Sequence, residues 1–196
     1  LSTVEKVVLL TDSERTLDGY EGYEDLIAEQ PESYDWPVFD ENTAAFLCYT
    51  SGTTGDPKGV LYTHRSVVLH GFAAGLSGAL GFSAFDVVMP SQSLYHATAW
   101  GLPFAGPING VKFVFPCDKF DGASLQKLIE DEGVTFSGGV PTIWTMYLDH
   151  LERTGGSPGT LQRVIIGGSA VPRDMAVAFD KLGVTVQQIW GMTETS

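Results

Sequence analysis

The segment YTSGTTGDPKGV, Tyr49 to Val60, combines glycines, hydroxyl side chains and one lysine between two apolar stretches. Glycine has no Cβ, so several backbone N–H groups of such a loop can point toward one spot and bind an anion. Ser51, Thr53 and Thr54 add hydroxyl donors, and Lys58 adds a full positive charge. We therefore expect this loop to bind a polyphosphate. A solvent-exposed turn is the alternative, because the same residue types are common in turns.

The spacing around Lys58 excludes one well-known kind of phosphate loop. The P-loop of kinases and GTPases has glycine directly before its lysine and serine or threonine directly after it. Here Pro57 precedes Lys58 and Gly59 follows it. Proline also removes a backbone donor and stiffens the loop. A phosphate group must therefore be bound here by a different arrangement.

Two further loops rich in glycine or hydroxyl groups, at 167–170 and 191–195, follow predicted strands. From about residue 111 the apolar patterns alternate between strand and helix, which is typical of an α/β layer with a largely parallel sheet. Ligands of such sheets bind beyond the carboxyl ends of the strands. We therefore predict an α/β fold with mixed, largely parallel sheet layers and flanking helices, in which the three loops meet at one site.

Short apolar runs predict the strands of this fold, and longer amphipathic runs predict its helices. The predicted strands are TAAFLCYT, GVLYTH, DVVMP, VKFVFP, VTFSGG, RVIIGGSA and VTVQQIWG. The predicted helices are RSVVLHGFAAGLSGAL, DGASLQKLIEDEG, PTIWTMYLDHLERTGG and PRDMAVAFDKLG. The acidic stretch 19–42, which carries two prolines, is predicted to be a solvated connection. The chain is thus predicted to consist of an acidic connecting segment, 1–42, and a main body, 43–196.

The chain of 196 residues has a net charge of −13, most of which lies near its start. Residues 1–41 hold 12 acidic and 2 basic side chains, whereas the remainder hold 12 acidic and 9 basic ones. The sequence has no basic cluster for nucleic acid, which excludes that class of partner. No apolar run reaches the roughly 20 residues of a membrane-spanning helix. Cys48 and Cys117 follow apolar runs and are predicted to be buried thiols in a reducing, cytoplasmic compartment.

Three motifs resemble, in order, those of the AMP-forming, adenylate-forming superfamily of acyl-CoA synthetases, luciferases and peptide-synthetase adenylation domains. YTSGTTGDPKGVLYTHRS resembles its phosphate-binding signature, IIGGSAVP its adenine-side loop, and IWGMTETS its nucleotide and magnesium motif. SLYHATAWGLPF, GGVPTIW and WGMTETS are most similar to medium- and long-chain fatty-acyl-CoA synthetases. By this resemblance, 43–196 is the central part of the large N-terminal AMP-binding domain. The smaller C-terminal domain, with its catalytic lysine, would lie outside the chain.

The resemblance implies that ATP binds between the three motifs. Its β- and γ-phosphates would be bound by Thr50, Ser51, Gly52, Thr53, Thr54, Gly55 and Lys58. Its adenine and α-phosphate would be bound by Gly167, Gly168, Ser169, Trp190, Gly191, Met192 and Thr193. Glu194 would hold Mg²⁺, a hard cation that prefers carboxylate oxygen. Without the resemblance, Trp190 would be interpreted as a core aromatic residue and Glu194 as a solvated loop acid.

The resemblance also implies a site for the acid substrate. His96, in LYHATAW, would donate a hydrogen bond to the reacting carboxylate. It would share the catalytic work with Lys58, Thr193 and Glu194. The tunnel for the acyl group would be lined by Trp100, Val140, Pro141 and Trp144, although apolar residues of this kind more often belong to the hydrophobic core. His64, His70 and His150 form no metal-ligand pattern and are given no role.

The implied reaction is the activation of a fatty acid by ATP and Mg²⁺ to an acyl-adenylate, followed by transfer of the acyl group to CoA. Two alternatives are a ligase for an aryl or short-chain acid and an adenylation domain that serves a carrier protein. A third, of another class, is a nucleotide-binding module without catalysis. The fragment alone is expected to be inactive, because the catalytic lysine would be missing. Its uncovered apolar faces would favour a homo-oligomer.

Overall fold

The computed structural model describes residues 3–11, 18–50, 55–117 and 119–195. The chain divides into two compact units, Leu1–Phe39 and Asp40–Ser196. Among the described residues, no helix combines the length and the apolar composition that crossing a bilayer requires.

The described part of the first unit contains two short strands and one helix. β1 (Val8–Leu9) pairs in parallel with β2 (Glu21–Gly22), and α1 (Tyr23–Ala28) follows directly. Part of the stretch predicted to be a connection, 19–42, is therefore regular structure, and the prediction is wrong there. The acidic side chains Glu24 and Asp25 lie in the first turn of α1, where they interact favourably with the helix dipole.

The second unit begins with a hairpin and a helix. β3 (Ala44–Thr50) and β4 (Lys58–Thr63) correspond to two of the predicted strands and pair antiparallel, and α2 (His64–Gly75) follows β4 without a loop. The Thr63 hydroxyl accepts a hydrogen bond of 3.1 Å from the Ser66 backbone N–H, which caps the start of α2. The helix ends at Gly75, earlier than the apolar pattern predicts.

The main sheet consists of five parallel strands. They are β5 (Val87–Pro90), β6 (Lys112–Phe113), β7 (Phe136–Gly139), β8 (Arg163–Ile166) and β9 (Thr185–Gln188). Their order across the sheet is β6-β5-β7-β8-β9, and every neighbouring pair is parallel. Helices cover both faces of the sheet, so the inner strands β5, β7 and β8 are almost entirely buried, whereas the edge strands β6 and β9 are partly exposed. The predicted α/β fold is confirmed.

In the described part of 86–196, five helices lie between or beside these strands. They are α3 (Ala97–Trp100), α4 (Leu102–Asn109), α5 (Gly122–Glu132), α6 (Pro141–Thr154) and α7 (Arg173–Lys181). Local sequence explains their ends: Asp121 accepts a hydrogen bond of 3.0 Å from the Ser124 backbone N–H at the start of α5, and Gly133, with φ of 72°, ends that helix. Pro141 opens α6, where its missing N–H costs nothing.

The two faces of the sheet have different cores. Helices α5, α6 and α7 pack on one face, which we call the core face, against Met89, Val164 and Ile166. Helix α4 and the segment after α2 pack on the other, which we call the cavity face, against Val88 and Ile165. Successive residues of one strand point to opposite faces. One strand such as β8 therefore contributes to both cores.

Two features differ from the sequence predictions. Helices α3 and α4 were not predicted, because the segment contains Gly101, Pro103 and Pro107, which normally interrupt a helix. Cys117 is exposed and has φ of 54°, so the prediction that it is buried is wrong, whereas Cys48 is buried. Both thiols are free.

Candidate functional site

A cavity of about 310 Å³ lies beyond the carboxyl ends of β8 and β9, on the cavity face. It is lined by His70, Ala74, Ala79, Leu80, His96, Trp100, Ile165, Gly168, Ile189, Trp190, Gly191, Met192, Thr193 and Thr195. The lining is mostly apolar, and its polar groups include two imidazoles. Such a cavity suits a ligand that has both an apolar and a polar part.

The predicted phosphate loop is only partly described. Ser51, Gly52, Thr53 and Thr54 lie outside the described residues. Thr50 and Lys58 lie opposite each other at the loop end of the hairpin. Gly55 has φ of 127°, a conformation that favours glycine. The exposed Lys58 ammonium and the half-buried Thr50 therefore flank the loop.

The hairpin is joined to the last motif by a hydrogen bond. The Tyr62 hydroxyl, on β4, donates to the backbone carbonyl of Thr193. Thr193 begins the short 3₁₀ turn Thr193–Thr195, which carries Glu194. Burial raises the pKa of the Tyr62 hydroxyl, and the nearby Cys48 and Glu194 raise it further. The strand that begins at Lys58 is thus linked to the turn that carries Glu194.

Glu194 could bind a magnesium ion only if a bound polyphosphate supplied further oxygen ligands. Its side chain is exposed, and no group of three or more His, Cys, Asp or Glu side chains in the described part of the chain could hold a metal. Mg²⁺ is often bound by one or two carboxylates together with substrate phosphates and water. The donor set therefore suits an ion that arrives with a polyphosphate.

The predicted adenine side lies at the rim of the cavity. Trp190 is 79% exposed, so most of its indole is open to a planar ligand. Gly167 is required by packing, because a Cβ there would lie 2.8 Å from the Ile189 side chain. Gly168 has φ of 81° and lines the cavity, whereas the neighbouring Ser169 is exposed and does not line it. This arrangement leaves bare backbone beside an open aromatic ring.

The predicted acid side is divided by the structure. His96 and Trp100 line the cavity, but Val140, Pro141 and Trp144 do not. Trp144 is fully buried on the core face, where its ring packs edge-to-face on Phe179 at 5.7 Å. Its position at the start of α6 points it away from the cavity face. The structure therefore does not bring Trp144 to the site.

Several lining residues were missed by the sequence analysis. His70 lies on α2 one turn before Ala74, and its ring contacts the backbone of Gly101, where a Cβ would come within 2.4 Å. The i, i+4 spacing of His70 and Ala74 could have identified a common helix face. Leu80 and Ile189 follow regular elements and carried no comparable signal.

Comparison with known proteins gives a consistent result. The model of the AMP-binding enzyme family matches residues 2–196. A 3-methylmercaptopropionyl-CoA ligase of Ruegeria lacuscaerulensis is 47% identical and is matched over 94% of this chain and 34% of its own length. A medium-chain-fatty-acid–CoA ligase of Ectopseudomonas oleovorans is 46% identical, over 92% of this chain and 33% of its own length.

A solved structure shows the same fold. The long-chain-fatty-acid-CoA ligase of Archaeoglobus fulgidus superimposes with a TM-score of 0.77 at 26% identity, covering 87% of this chain and 36% of that one. The chain therefore spans about a third of the length of the proteins it matches.

Proposed function

Because the chain belongs to the AMP-binding enzyme family, we propose that the complete protein activates a carboxylic acid with ATP and transfers the acyl group to CoA. The acid carboxylate attacks the α-phosphorus, pyrophosphate departs, and the CoA thiol then displaces AMP. The observation that best supports this proposal is the hydrogen bond from Tyr62 to Thr193. This bond links the strand that begins at Lys58 to the turn that carries Glu194. The ammonium of Lys58 and the carboxylate of Glu194 are the two charges that a metal-bound polyphosphate needs.

The charges suit the first step of this reaction. A carboxylate is repelled by a triphosphate, so the phosphate charge must be screened and the acid held in line with the α-phosphorus. Lys58 would bind the β- and γ-phosphates together with the hydroxyls of the adjoining loop. Mg²⁺ held by Glu194 would neutralise further charge on the departing pyrophosphate. Thr193 would donate its hydroxyl hydrogen bond to the α-phosphate.

The cavity provides places for the other parts of the substrates. The open indole of Trp190 would stack on adenine, next to the bare backbone of Gly168. His96 would donate a hydrogen bond to the acid carboxylate. The alkyl part of the acid would then extend along Trp100 and Ile165 into the apolar interior of the cavity.

We propose a fatty acid as the substrate, because the cavity interior is apolar and two similar proteins are named as ligases of medium- and long-chain fatty acids. A short-chain acid is the second candidate. It is favoured by the 47% identity to a protein named as a 3-methylmercaptopropionyl-CoA ligase. The same site would bind both acids, and the fatty acid would extend further into the cavity than the short-chain acid.

The proposal assigns residues 43–196 to the central part of the AMP-binding domain. The exposed apolar side chains Leu47, Leu61 and Phe72, on the hairpin and on α2, would be covered by further parts of the polypeptide or by a second subunit. The two free thiols suit a cytoplasmic enzyme, because that compartment keeps cysteines reduced.

The test is acid-dependent exchange of pyrophosphate into ATP by the full-length protein, measured with fatty acids of graded length and with 3-methylmercaptopropionate. Lys58→Ala and Glu194→Gln should each lower kcat/KM by about 100-fold, the usual effect of removing one preorganised charge contact. Lys127→Ala, which removes an exposed lysine on α5, is the control and should leave the rate unchanged. Product analysis with CoA and with carrier protein would identify the acceptor.

One outcome would replace this proposal with the binding-module alternative. A full-length protein that binds ATP equally well with and without Mg²⁺, and that forms no AMP with any acid, is not a ligase. Equal rates for the Lys58→Ala variant and the control would show that this lysine does not bind the reacting phosphates.

A further inference from the structure

Three consecutive residues beside the cavity have an unfavourable backbone conformation. Thr98, Ala99 and Trp100 have φ values of 43°, 52° and 58°, in the left-handed region that residues with a Cβ rarely adopt. A run of such residues persists only where its surroundings hold it in place. The turn precedes Gly101 and contains Trp100, which lines the cavity. Something must therefore fix this turn.

The side chain of Gln92 makes a buried contact with the middle of this turn. Its Nε2 donates a hydrogen bond of 3.0 Å to the carbonyl oxygen of Ala99, the middle residue of the turn. Gln92 is only 6% exposed, and Ala99 is fully buried. A buried carbonyl without a partner would be costly, so this donor stabilises the turn in its left-handed form.

The second polar atom of the Gln92 amide is destabilising, because it is a buried acceptor without a hydrogen bond within the described part of the chain. Oε1 of Gln92 is buried and has no hydrogen-bond partner among the described residues. It lies against the backbone of Gly138, where a Cβ would approach it to 3.1 Å. An apolar side chain would fill this space without leaving an acceptor unpaired. The useful part of Gln92 is therefore its donor to Ala99.

Gln92 itself is anchored to the sheet. The preceding residue, Ser91, donates its backbone N–H to the carbonyl of Gly138 at 2.7 Å, and its hydroxyl lies 3.2 Å from that of Ser137. The Ser137 hydroxyl donates in turn to the Met89 carbonyl at 2.6 Å. Hydrogen bonds from Ser91 and to Met89 thus join the end of β5 to β7, which holds the backbone next to Gln92 in place.

The turn transmits this anchorage to the cavity wall. The Ala99 backbone N–H donates to the His96 carbonyl at 2.9 Å, so the peptide units on both sides of Ala99 are hydrogen-bonded. The Trp100 ring lies against Gly167, where a Cβ would meet it at 3.4 Å. A displacement of Ala99 would therefore move His96 and Trp100 together.

We infer that Gln92 is a positioning residue that holds His96 and Trp100 in the geometry needed for the acid substrate. The inference rests on the proposed function for what these two side chains contact. Gln92 does not touch substrate in this arrangement; it acts through the Ala99 carbonyl. Its loss should therefore affect use of the acid and leave the binding of ATP unchanged.

The test uses the full-length protein and the variant Gln92→Met, which keeps the length of the side chain but removes the donor. Gln126→Met is the matched control, because Gln126 is a half-buried glutamine on α5 and does not line the cavity. Amide hydrogen exchange of 93–101, without substrates, should become about tenfold faster in Gln92→Met only. In acid-dependent pyrophosphate exchange, kcat/KM for the acid should fall by about ten- to a hundredfold, and KM for ATP should not change.

Two results would overturn the inference. One is unchanged hydrogen exchange in 93–101 of Gln92→Met. The other is a loss of activity that affects acid and ATP equally, as expected if the variant only lowers overall stability. If Gln92→Met does not fold, the double variant Gln92→Met/Ala99→Gly decides, because glycine adopts the left-handed conformation without strain. Recovery of folded protein and acid use supports the inference, and no recovery overturns it.

Failure of the proposed function would look different. Wild-type protein that catalyses no acid-dependent exchange would contradict the ligase, whichever variant is compared. Faster hydrogen exchange at 93–101 would still show that Gln92 fixes the turn, but its role in acid use would be overturned.

Discussion

The two faces of the five-stranded sheet are held together by different interactions. On the core face, fully buried apolar side chains from α5, α6 and α7 interlock, and Trp144 packs edge-to-face on both Tyr147 and Phe179. On the cavity face, long polar side chains reach to backbone carbonyls. Arg163 donates to the Leu80 carbonyl at 2.6 Å, and Gln187 donates to the Ala79 carbonyl at 3.1 Å.

This difference follows from the presence of the cavity. A wall that borders an open space has packing partners on one side only, so dispersion contacts fix its position less firmly than they would in a closed core. Ala79, Leu80 and Ala99 belong to the cavity wall or to its support, and each has a carbonyl that accepts a hydrogen bond from a polar side chain of the sheet or its loops. Specific hydrogen bonds thus supplement the smaller apolar core of the cavity face.

The largest expected effect on stability lies on the core face. Phe179→Ala removes a fully buried ring and leaves a void between α6 and α7, which should lower the free energy of unfolding by about 4 kcal/mol. Phe85→Ala is the control, because Phe85 is 92% exposed and its loss should change stability by less than about 0.5 kcal/mol. Urea unfolding measures both. A similar loss of unfolding free energy in the two variants would show that Phe179 is not part of a densely packed core.

The sequence predicted the architecture of both faces better than their interactions. Apolar runs such as RVII show that β8 is buried, but three consecutive apolar residues do not show which of them faces a cavity. Trp144 was assigned to the acid site by resemblance, and local sequence could not correct this, because a tryptophan at a helix start can pack toward either side. Only the helix orientation, set by long-range packing, places it on the core face.

The polar contacts of the cavity face were not predictable from local sequence. Gln187 and Ala79 are more than 100 residues apart, so no spacing rule relates them. The left-handed turn at Thr98 to Trp100 was also missed, since local sequence rules assign that conformation mainly to glycine. By contrast, the strands and the three loop motifs depend on nearby residues, and these could be predicted.

The next largest effect should come from the ion pair on the cavity face. Arg163 is paired with Asp86 at 2.8 Å, and the two side chains are only 24% and 10% exposed. Arg163→Met would leave the Asp86 carboxylate buried without its cation, at a cost of about 3 kcal/mol. The control is Lys127→Met, which breaks the exposed pair with Asp131 and should have no measurable effect. A negligible cost for Arg163→Met would contradict the importance of polar contacts on this face.

The same ion pair predicts a dependence of stability on pH. Burial alone would raise the pKa of Asp86, but hydrogen bonds from Ser83, Arg163 and Thr135 outweigh it, and the pKa is lowered. A lowered pKa means that the stabilisation is complete above the unfolded value of about 3.9 and is lost as the pH falls through the folded value. Urea unfolding between about pH 6 and pH 2 should show this loss in wild-type protein and a weaker one in Asp86→Asn. Parallel pH curves for the two proteins would show that Asp86 does not titrate in this way.

The smallest effect gives the sharpest comparison, because it places one substitution on each face of one strand. Ile166→Val removes a methyl from the packed core face and creates a closed void, so it should lower the free energy of unfolding by about 1 kcal/mol. Ile165→Val removes the same methyl from the cavity wall, where it only enlarges an existing space, and should cost about 0.5 kcal/mol. In the full-length protein, Ile165→Val should also change KM for the acid by a few-fold, whereas Ile166→Val should not. Equal costs together with equal KM values would mean that the cavity face is packed like the core face in solution, and the distinction between the two faces would be lost.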